Sequence, residues 1–335
     1  MRFGLFGGAK AAGSGPDADS QGYRAFIDYV IRAEALGFES LFMVEHHFTG
    51  VGQVSASLNL LTYLAARTRR IRLGTAVVVL PWHNPALLAE QAATLDLLSD
   101  GRFDFGIGKG YRKSEFAGFA IPQDEAEARF AECVDVLRRA WTEPGRFSHR
   151  GRFWRFDDVV VEPRPIQQPH PPFWMAAGSP ASIRRAAREG FNLLLDQLAP
   201  IDLTLERAAL YRDALEAAGR GRHSCQIAVA RALQLVETAD EREQALAVRQ
   251  RVLTHIGDLA RGRGAERYQS ADAIQSAGLA GDDSALIGTP EEITARLQRL
   301  AAGEIDQVLL IDPNGRQRSL EVFAAEIAPA FRATP

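Results

Sequence analysis

The chain has 335 residues, of which 46% are hydrophobic and 24% are charged, as is usual for a globular protein. Its 39 basic and 42 acidic side chains leave a net charge of -3, so no basic surface for nucleic acid is expected. No apolar run approaches the roughly 20 residues that cross a bilayer, and the N-terminus lacks a signal-peptide pattern, so a cytoplasmic location is predicted. The two cysteines, Cys133 and Cys225, predict neither a disulfide framework nor a metal clip.

Short apolar segments alternate with amphipathic segments along most of the chain. Continuous apolar or β-branched runs predict strands, and apolar residues at helical spacing predict the helices between them. The predicted strands are 2–6, 40–44, 71–80, 103–107, 172–177, 192–195, 226–236 and 306–311. The predicted helices are 23–36, 58–66, 85–98, 125–141, 182–189, 203–218, 240–260, a helix that follows the N-cap Thr289, and 319–331.

Two stretches interrupt this alternation. Residues 144–172 are rich in proline and aromatic residues, and they predict an excursion with a hairpin around FWRFDDVVVEPRP. Residues 261–283 are polar, with scattered glycines and charges, and predict a mobile lid that orders when a flavin binds. A passive surface insertion is the alternative for this second stretch.

Eight strands, nearly all followed by a helix, imply a parallel sheet. The prediction is an α/β protein that forms one (β/α)8 TIM barrel over residues 1–335, with insertions at about 144–172 and 261–283. A doubly wound open sheet is the alternative fold. In a barrel, catalytic residues collect at the carboxyl ends of the strands, so the functional residues are expected there.

The second strand ends in Glu45, His46 and His47. Burying an acid and two histidines is costly unless they form hydrogen bonds or lose their charge, which favours a functional reason for the cluster. Adjacent histidines on a strand point to opposite faces, so a metal site made from this pair is not expected. Structural histidines that only form hydrogen bonds are the alternative interpretation.

Two other strand ends indicate a cofactor. The third strand has a run of small residues over 74–78, where a planar group could lie against the backbone. The fifth leads into Gly178 and Ser179 at a predicted helix start, where free N–H groups and the hydroxyls of Ser179 and Ser182 could bind an anion. Lys109 at the fourth strand end could supply the countercharge. A phosphate beside a flat ring describes flavin mononucleotide (FMN), although a packed strand and a simple N-cap remain alternatives.

Five segments in order carry a resemblance that covers essentially the whole chain: LGFESLFMVEHHF (36–48), LGTAVVVLPWHNP (73–85), LSDGRFDFGIGKGY (98–111), PPFWMAAGSPAS (171–182) and IGTPEEI (287–293). The chain resembles the bacterial luciferase-like, flavin-dependent monooxygenases. The resemblance implies a (β/α)8 barrel that uses reduced FMN as substrate or cofactor together with O2. It also implies a separate NAD(P)H:flavin reductase as partner.

The resemblance further implies roles for single residues. His46 matches the family histidine that is tied to catalysis, as a proton donor or acceptor near the flavin. Thr75, Ala76 and Val77 match the strand under the flavin ring, where the family often has a non-prolyl cis peptide, here expected at Ala76–Val77.

At the phosphate, Lys109 falls where luciferase has an arginine, and Ser179 and Ser182 match phosphate-binding hydroxyls. Two positions depart from luciferase, because Gly178 replaces a glutamate and Gly108 replaces the reactive cysteine. These departures argue against a light-emitting luciferase, but they leave the predicted flavin site in place.

The function predicted from all of these features is an FMN-dependent monooxygenase that oxygenates a small organic substrate. The alternatives are a deazaflavin-dependent oxidoreductase of the same superfamily and a non-catalytic flavin-binding subunit. A homodimer is also predicted, because helices 58–66 and 86–98 carry leucine and alanine beyond a single apolar stripe.

Overall fold

The computed structural model describes residues 1–50, 52–260, 283–312 and 317–332. Within the chain two compact units are distinguished. The first comprises Met1–Phe6, Asp28–Leu41 and Met175–Pro335, and the second comprises Gly7–Ile27 and Phe42–Trp174. The side-chain contacts given below lie within one unit or the other.

The strands occupy the apolar segments of the sequence. They are β1 (Arg2–Gly7), β2 (Ser40–Met43), β3 (Arg72–Thr75), β4 (Val78–Val79), β5 (Phe103–Gly108), β6 (Phe147–Arg150), β7 (Arg155–Val159), β8 (Phe173–Ala176), β9 (Asn192–Leu195), β10 (Ile227–Leu235), β11 (Leu286–Gly288) and β12 (Gln307–Ile311).

The helices fill the intervals between the strands. They are α1 (Ala18–Ala35), α2 (Ser57–Arg67), α3 (Pro85–Leu98), α4 (Lys113–Gly118), α5 (Ala126–Thr142), α6 (Pro180–Glu189), α7 (Ile201–Ala217), α8 (Ala239–Ala260), α9 (Pro290–Ala302) and α10 (Gln317–Val322). A π-helical turn over Phe323–Ile327 and a 3₁₀ turn over Ala328–Phe331 follow α10.

The main sheet is closed. Its strand order is β11-β10-β12-β1-β2-β3-β5-β8-β9, and β10 also pairs with β9. In the part of the chain that the structure describes, eight strand positions thus complete the ring, with β4 and β11 as short additions. The fold is the predicted (β/α)8 barrel, and the eight predicted strands are all present. The open-sheet alternative is excluded, because its outer strands would have no such closing pair.

The core of the barrel explains why the strand segments read as unbroken apolar runs. Strand β10 is buried from Ile227 to Leu233, and it pairs in parallel with β12 on one side and β9 on the other. A strand flanked by two neighbours and covered by helices has no solvent-facing side, so alternation of polar and apolar residues disappears.

Helix caps form where the sequence predicts them. Thr289 accepts a hydrogen bond from the Glu292 backbone N–H, and the Glu292 side chain accepts one from the Thr289 N–H, which completes a capping box before α9. Strand β11 was not predicted from the sequence. It has only three residues, directly before the N-cap Thr289, and three residues are too few to show a strand pattern.

The predicted insertions have different outcomes. A hairpin is present in the first of them, in which β6 pairs antiparallel with β7, but it begins earlier than predicted, because only β7 lies inside the segment FWRFDDVVVEPRP (153–165). The predicted lid at 261–283 lies, except for Asp283, outside the described residues. Among the described residues, no helix combines the length and the apolar character needed to cross a membrane.

Candidate active site

The acid and the two histidines lie in the loop that follows β2, which ends at Met43. The loop is held by its backbone, since Val44 N–H donates to the Gly7 carbonyl at 3.0 Å and His46 N–H donates to the Val54 carbonyl at 3.1 Å. Backbone bonds on both sides of Glu45 therefore fix where the three side chains point.

His46 is bound by a buried acid that the sequence analysis missed. Glu115, in the short helix α4, has a side chain only 2% exposed. One of its oxygens, Oε1, lies 3.2 Å from His46 Nδ1 and accepts the His47 backbone N–H at 3.0 Å. Glu115 thus determines both the ring orientation of His46 and the path of the chain beside it.

The other nitrogen of His46 defines the position of the ring proton. Arg112 Nη2 lies 3.3 Å from His46 Nε2, and a guanidinium can only donate. Nε2 is therefore the acceptor, and the proton of the neutral ring lies on Nδ1, from which it donates to Glu115. This assignment follows from the hydrogen-bond partners of the ring.

A second buried acid, Glu45, holds two more histidines. Its Oε1 lies 3.1 Å from His47 Nε2 and 2.9 Å from His83 Nε2. Burial alone would raise the pKa of Glu45, but the hydrogen bonds and charges of His47 and His83 together outweigh burial and lower it. Glu45 is therefore a carboxylate at neutral pH, and both imidazoles donate to it.

Aromatic rings surround His47. The Trp82 and Phe119 rings are stacked with their centroids 5.2 Å apart, and the His47 ring meets each of them edge-on, at 5.4 and 4.8 Å. These ring contacts pack the His47 side chain and so hold it beside Glu45.

The small-residue strand is interrupted where the sequence predicts a flat surface. The peptide Ala76–Val77 is cis, as expected, and it separates β3 from β4, so the predicted strand 71–80 is not continuous. Ala76 and Val77 are half-buried, whereas Thr75 and Val78 on either side are buried. The pair therefore presents a small, accessible surface. The space over Gly74 is taken by the Phe42 ring.

The Thr75 hydroxyl is not free to bind a ligand. Its Oγ1 donates to the Gly106 carbonyl at 2.7 Å and accepts from the Gly106 N–H at 2.9 Å, and its side chain is fully buried. Both hydrogen-bonding functions of the hydroxyl are used inside the protein.

We expect Thr75→Val to lower the free energy of unfolding by about 2–4 kcal/mol, because valine leaves the buried N–H and C=O of Gly106 unpaired. Urea unfolding measures the change. Thr75→Ser is the matched control, since it keeps the hydroxyl and should cost only about 1 kcal/mol for the lost methyl group. A valine variant as stable as the serine variant would contradict this role.

Gly108 ends β5 and Lys109 follows it, and the two residues have different surroundings. A Cβ added to Gly108 would lie 2.4 Å from Val77 Cγ2, so the Val77 side chain takes the space beside this glycine. Lys109 Nζ forms an ion pair with Glu127 Oε2 at 2.6 Å, and both side chains are substantially exposed. Its charge already has a partner, and its contact with a phosphate stays a prediction.

The predicted phosphate residues form the N-terminus of α6. Ser179 is the N-cap, its Oγ accepts from the Ser182 N–H, and its own N–H donates to Ser182 Oγ. The two hydroxyls lie 2.9 Å apart. Both residues are half-buried, and the Ser182 hydroxyl also donates to the Ser179 carbonyl at 2.9 Å, so the capping box holds both side chains in place.

An arginine missed by the sequence analysis lies beside this turn. Arg207 in α7 donates from Nη1 to Asp196 Oδ2 at 3.0 Å. A Cβ added to Gly178 would lie 3.5 Å from Arg207 Nη2 and 3.5 Å from Asp196 Oδ2, which is an ordinary contact distance. Asp196 also accepts the N–H groups of Leu198 and Ala199 and so shapes the loop after β9.

The predicted residues thus fall into two groups. His46, Thr75, Ala76, Val77 and Lys109 belong to the second unit, and Gly178, Ser179 and Ser182 belong to the first. In the described ranges, no group of three or more histidine, cysteine, aspartate or glutamate side chains is arranged to hold a metal ion.

Several contributing residues carried little or no sequence signal. Glu115 and Arg112 lie 69 and 66 positions from His46, the first in the short helix α4 and the second at its N-cap, where no clear periodic pattern marks them. His83 could have been found, because it lies inside the quoted segment LGTAVVVLPWHNP. Arg207 is one of two basic residues of α7, and nothing in its spacing distinguishes it.

The chain is similar to several known proteins. The flavin-dependent trigonelline monooxygenase, oxygenase component, of Acinetobacter baylyi is 33% identical over 205 residues, which are 61% of this chain and 55% of that protein. An F420-dependent glucose-6-phosphate dehydrogenase of Intrasporangium calvum is 35% identical over 219 residues, 59% of this chain and 65% of that protein. The matches thus span little more than half the length of these curated relatives.

A solved structure extends the comparison to the whole chain. The monooxygenase RslO1 from Streptomyces bottropensis superposes with a TM-score of 0.80 at 30% identity, covering 99% of this chain and 100% of that one. The family model described as luciferase-like monooxygenase matches residues 1–307. With a barrel of this topology and a match over most of its length, the chain belongs to the luciferase-like monooxygenase family.

Proposed function

We propose that the protein is the oxygenase component of a two-component FMN-dependent monooxygenase, which oxygenates a small organic substrate with O2. The observation that carries this proposal is the geometry of His46, whose Nδ1 lies 3.2 Å from Oε1 of buried Glu115 and whose Nε2 lies 3.3 Å from Arg112 Nη2. Such a group can give or take one proton at a defined atom, as oxygen activation by a reduced flavin requires.

The described residues fit the two chemically distinct parts of FMN. In the second unit, half-buried Ala76 and Val77 offer a small, flat surface to a ring. In the first unit, the Ser179 hydroxyl and the backbone of α6 offer donors to a phosphate, the Ser182 hydroxyl could turn to it from the Ser179 carbonyl, and Gly178 leaves room beside them. When bound, reduced FMN would supply the electrons that activate O2.

The protein groups have separable tasks in this proposal. Glu115 orients His46 and holds the proton on Nδ1, and Arg112 donates a hydrogen bond to Nε2. Because the bond from Arg112 is long, at 3.3 Å, and the guanidinium also lies 3.8 Å from Glu115, a ligand could replace it at Nε2 without leaving it unpaired. Trp82 and Phe119 would keep water from this region.

The reduced flavin would come from a separate NAD(P)H:flavin reductase. The relative from Acinetobacter baylyi is named as the oxygenase component of a flavin-dependent system, which supports a partner of this kind. The organic substrate is proposed only as a small molecule, since a shared fold does not identify it.

A deazaflavin-dependent oxidoreductase is the second candidate, favoured by the identity to an F420-dependent dehydrogenase. Fluorescence titration with FMN, riboflavin and F420 separates the two candidates. Our proposal expects FMN to bind more tightly than F420. Tighter binding of F420, followed by its reduction under anaerobic conditions, would favour the deazaflavin-dependent oxidoreductase and contradict the FMN-dependent monooxygenase.

We further propose that the protein forms a homodimer through α2 and α3. Large apolar side chains on these helices are exposed, with Tyr63 at 49%, Leu87 at 53% and Leu98 at 58%. Leu87 and Leu98 are three helical turns apart, so they lie on one face of α3. A second copy of the chain would remove this apolar surface from water.

The double change Leu87→Glu and Leu98→Glu should raise the apparent dissociation constant of the dimer about tenfold or more, because it places charges in an apolar interface. Light scattering across a dilution series measures this change. Ile166→Glu is the control, since Ile166 is equally exposed, at 53%, and lies outside both helices. A wild-type protein that is monomeric at micromolar concentration would contradict the proposal.

A further inference from the structure

Phe48 is exposed although it is a large apolar residue, and its backbone has an unfavourable conformation. It is 62% exposed, the highest value among the large hydrophobic residues that the structure describes. Its φ angle is 56°, in the left-handed region that residues with a bulky side chain rarely adopt. Such strain persists where the surrounding structure enforces it, most often at functional sites. Phe48 follows His46 by two positions, so the strained residue belongs to the loop of the candidate active site.

The short helix α4 holds the Phe48 ring in place. Gly118 is the last residue of α4, and a Cβ added to it would clash with Phe48 Cε2 and Cδ2. Only glycine therefore lets the ring lie so close to the helix backbone. The same helix carries Glu115, which lies 3.2 Å from His46 Nδ1. One element thus fixes the position of the exposed ring and the orientation of the candidate catalytic histidine.

Phe48 extends a wall of aromatic rings made by Phe48, Phe119 and Trp82, all in the second unit. The Phe48 and Phe119 centroids are 5.0 Å apart, and Phe119 stacks on Trp82 at 5.2 Å. This aromatic wall offers no polar atom to solvent, because the phenylalanine rings have none and Trp82 Nε1 is buried. The His47 ring lies beside Phe48 at 5.9 Å, so the wall is continuous with the loop that carries His46.

We propose that Phe48 is a specificity-determining residue, which binds an aromatic part of the organic substrate beside His46. Flat rings suit a wall of flat rings, because aromatic pairs gain free energy beyond the burial of their surface. A bound substrate would also remove the exposed ring from water, which offsets the cost of its strained backbone. The inference rests on the proposed function, since it takes the occupant to be the substrate of that reaction, and it narrows this substrate to an aromatic molecule.

Two alcohols of matched size, benzyl alcohol and cyclohexylmethanol, test the preference for an aromatic ring, and 2-naphthol provides a larger aromatic surface. NMR titration of the protein without flavin measures the three dissociation constants. Benzyl alcohol should bind about threefold or more tightly than cyclohexylmethanol, and 2-naphthol should bind more tightly than both. Equal binding of the two matched alcohols, or binding of none of the three probes, would overturn the inference.

Phe48→Asn separates binding from folding, because asparagine adopts the left-handed conformation more readily than phenylalanine. The variant should be at least as stable as the wild type in urea. It should nevertheless bind 2-naphthol about tenfold or more weakly and lose the preference for benzyl alcohol. Ile166→Asn is the matched control, since Ile166 is 53% exposed in the same unit, and its affinities should match the wild type. Lower stability of Phe48→Asn with unchanged 2-naphthol affinity would show a structural role and contradict the inference.

Gly118→Ala tests the same ring without removing it. The added Cβ displaces the Phe48 ring from α4, whereas alanine itself suits a helix. The variant should therefore bind 2-naphthol more weakly than the wild type, by about threefold or more. A 2-naphthol affinity equal to that of the wild type would mean that the position of the ring is irrelevant to binding, and the inference would be wrong.

Two other occupants of the aromatic wall are distinguished by the same variant. If Phe48→Asn weakens FMN binding but not 2-naphthol binding, the ring contacts the flavin. If Phe48→Asn lowers the mass measured by light scattering, the ring lies in a contact between two copies of the chain. Either result would overturn the inference. Failure of the proposed function has a different signature, which is a wild-type protein that binds the aromatic alcohols but not FMN.

Discussion

His46→Ala should lower substrate oxygenation by about 100-fold or more, the usual scale for loss of a general acid or base, while FMN affinity stays nearly unchanged. The physical reason is that His46 is the group whose ring proton is positioned by Glu115 and Arg112. Release of hydrogen peroxide should rise as the organic product falls, since the electrons of the flavin then reach O2 without productive proton transfer.

The controls for His46→Ala separate chemistry from folding. His223→Ala removes an imidazole that is 65% exposed and should leave turnover unchanged. Glu115→Gln keeps the shape of the acid but removes the charge that holds the proton on Nδ1, so it should shift the pH profile of turnover. Full coupled turnover in His46→Ala would mean that this histidine is structural.

Ser179→Asp should weaken FMN binding at least tenfold, because it places a carboxylate against the phosphate. The change is informative because aspartate is as good an N-cap as serine, so α6 should remain intact. Ser179→Asn is the matched control, which keeps the cap without the charge and should bind FMN within a few-fold of the wild type. Unchanged FMN affinity in Ser179→Asp, measured by fluorescence titration, would refute the phosphate site.

Much of the fold could be predicted because its signals are local. Buried strands such as β10 are recognisable from a continuous apolar run, and the start of α9 is recognisable from Thr289, Pro290 and Glu292. The interruption between β3 and β4 was visible only through the family resemblance, since nothing in the composition of residues 71–80 indicates a break. The three-residue strand β11 and the six-residue helix α4 are too short to show a period.

The candidate site was only partly predictable for a different reason. His46, Ser179 and Ser182 stand next to recognisable strand or helix ends, so their positions follow from the layout of the barrel. Glu115 and Arg207 act through contacts with residues distant along the chain, and such contacts leave no mark on local spacing. The sequence therefore predicts which loops carry the chemistry better than it predicts which side chains orient the groups.

The central claim is that the protein binds reduced FMN and controls its reaction with O2. The most direct test is rapid mixing of reduced FMN with O2, with and without saturating protein, while O2 consumption and hydrogen peroxide release are followed together. We predict that reduced FMN bound to the protein consumes O2 and releases peroxide more slowly than free reduced FMN, and that peroxide release is faster with His46→Ala than with the wild type. Identical O2 consumption and peroxide release with and without the protein would contradict the proposed function.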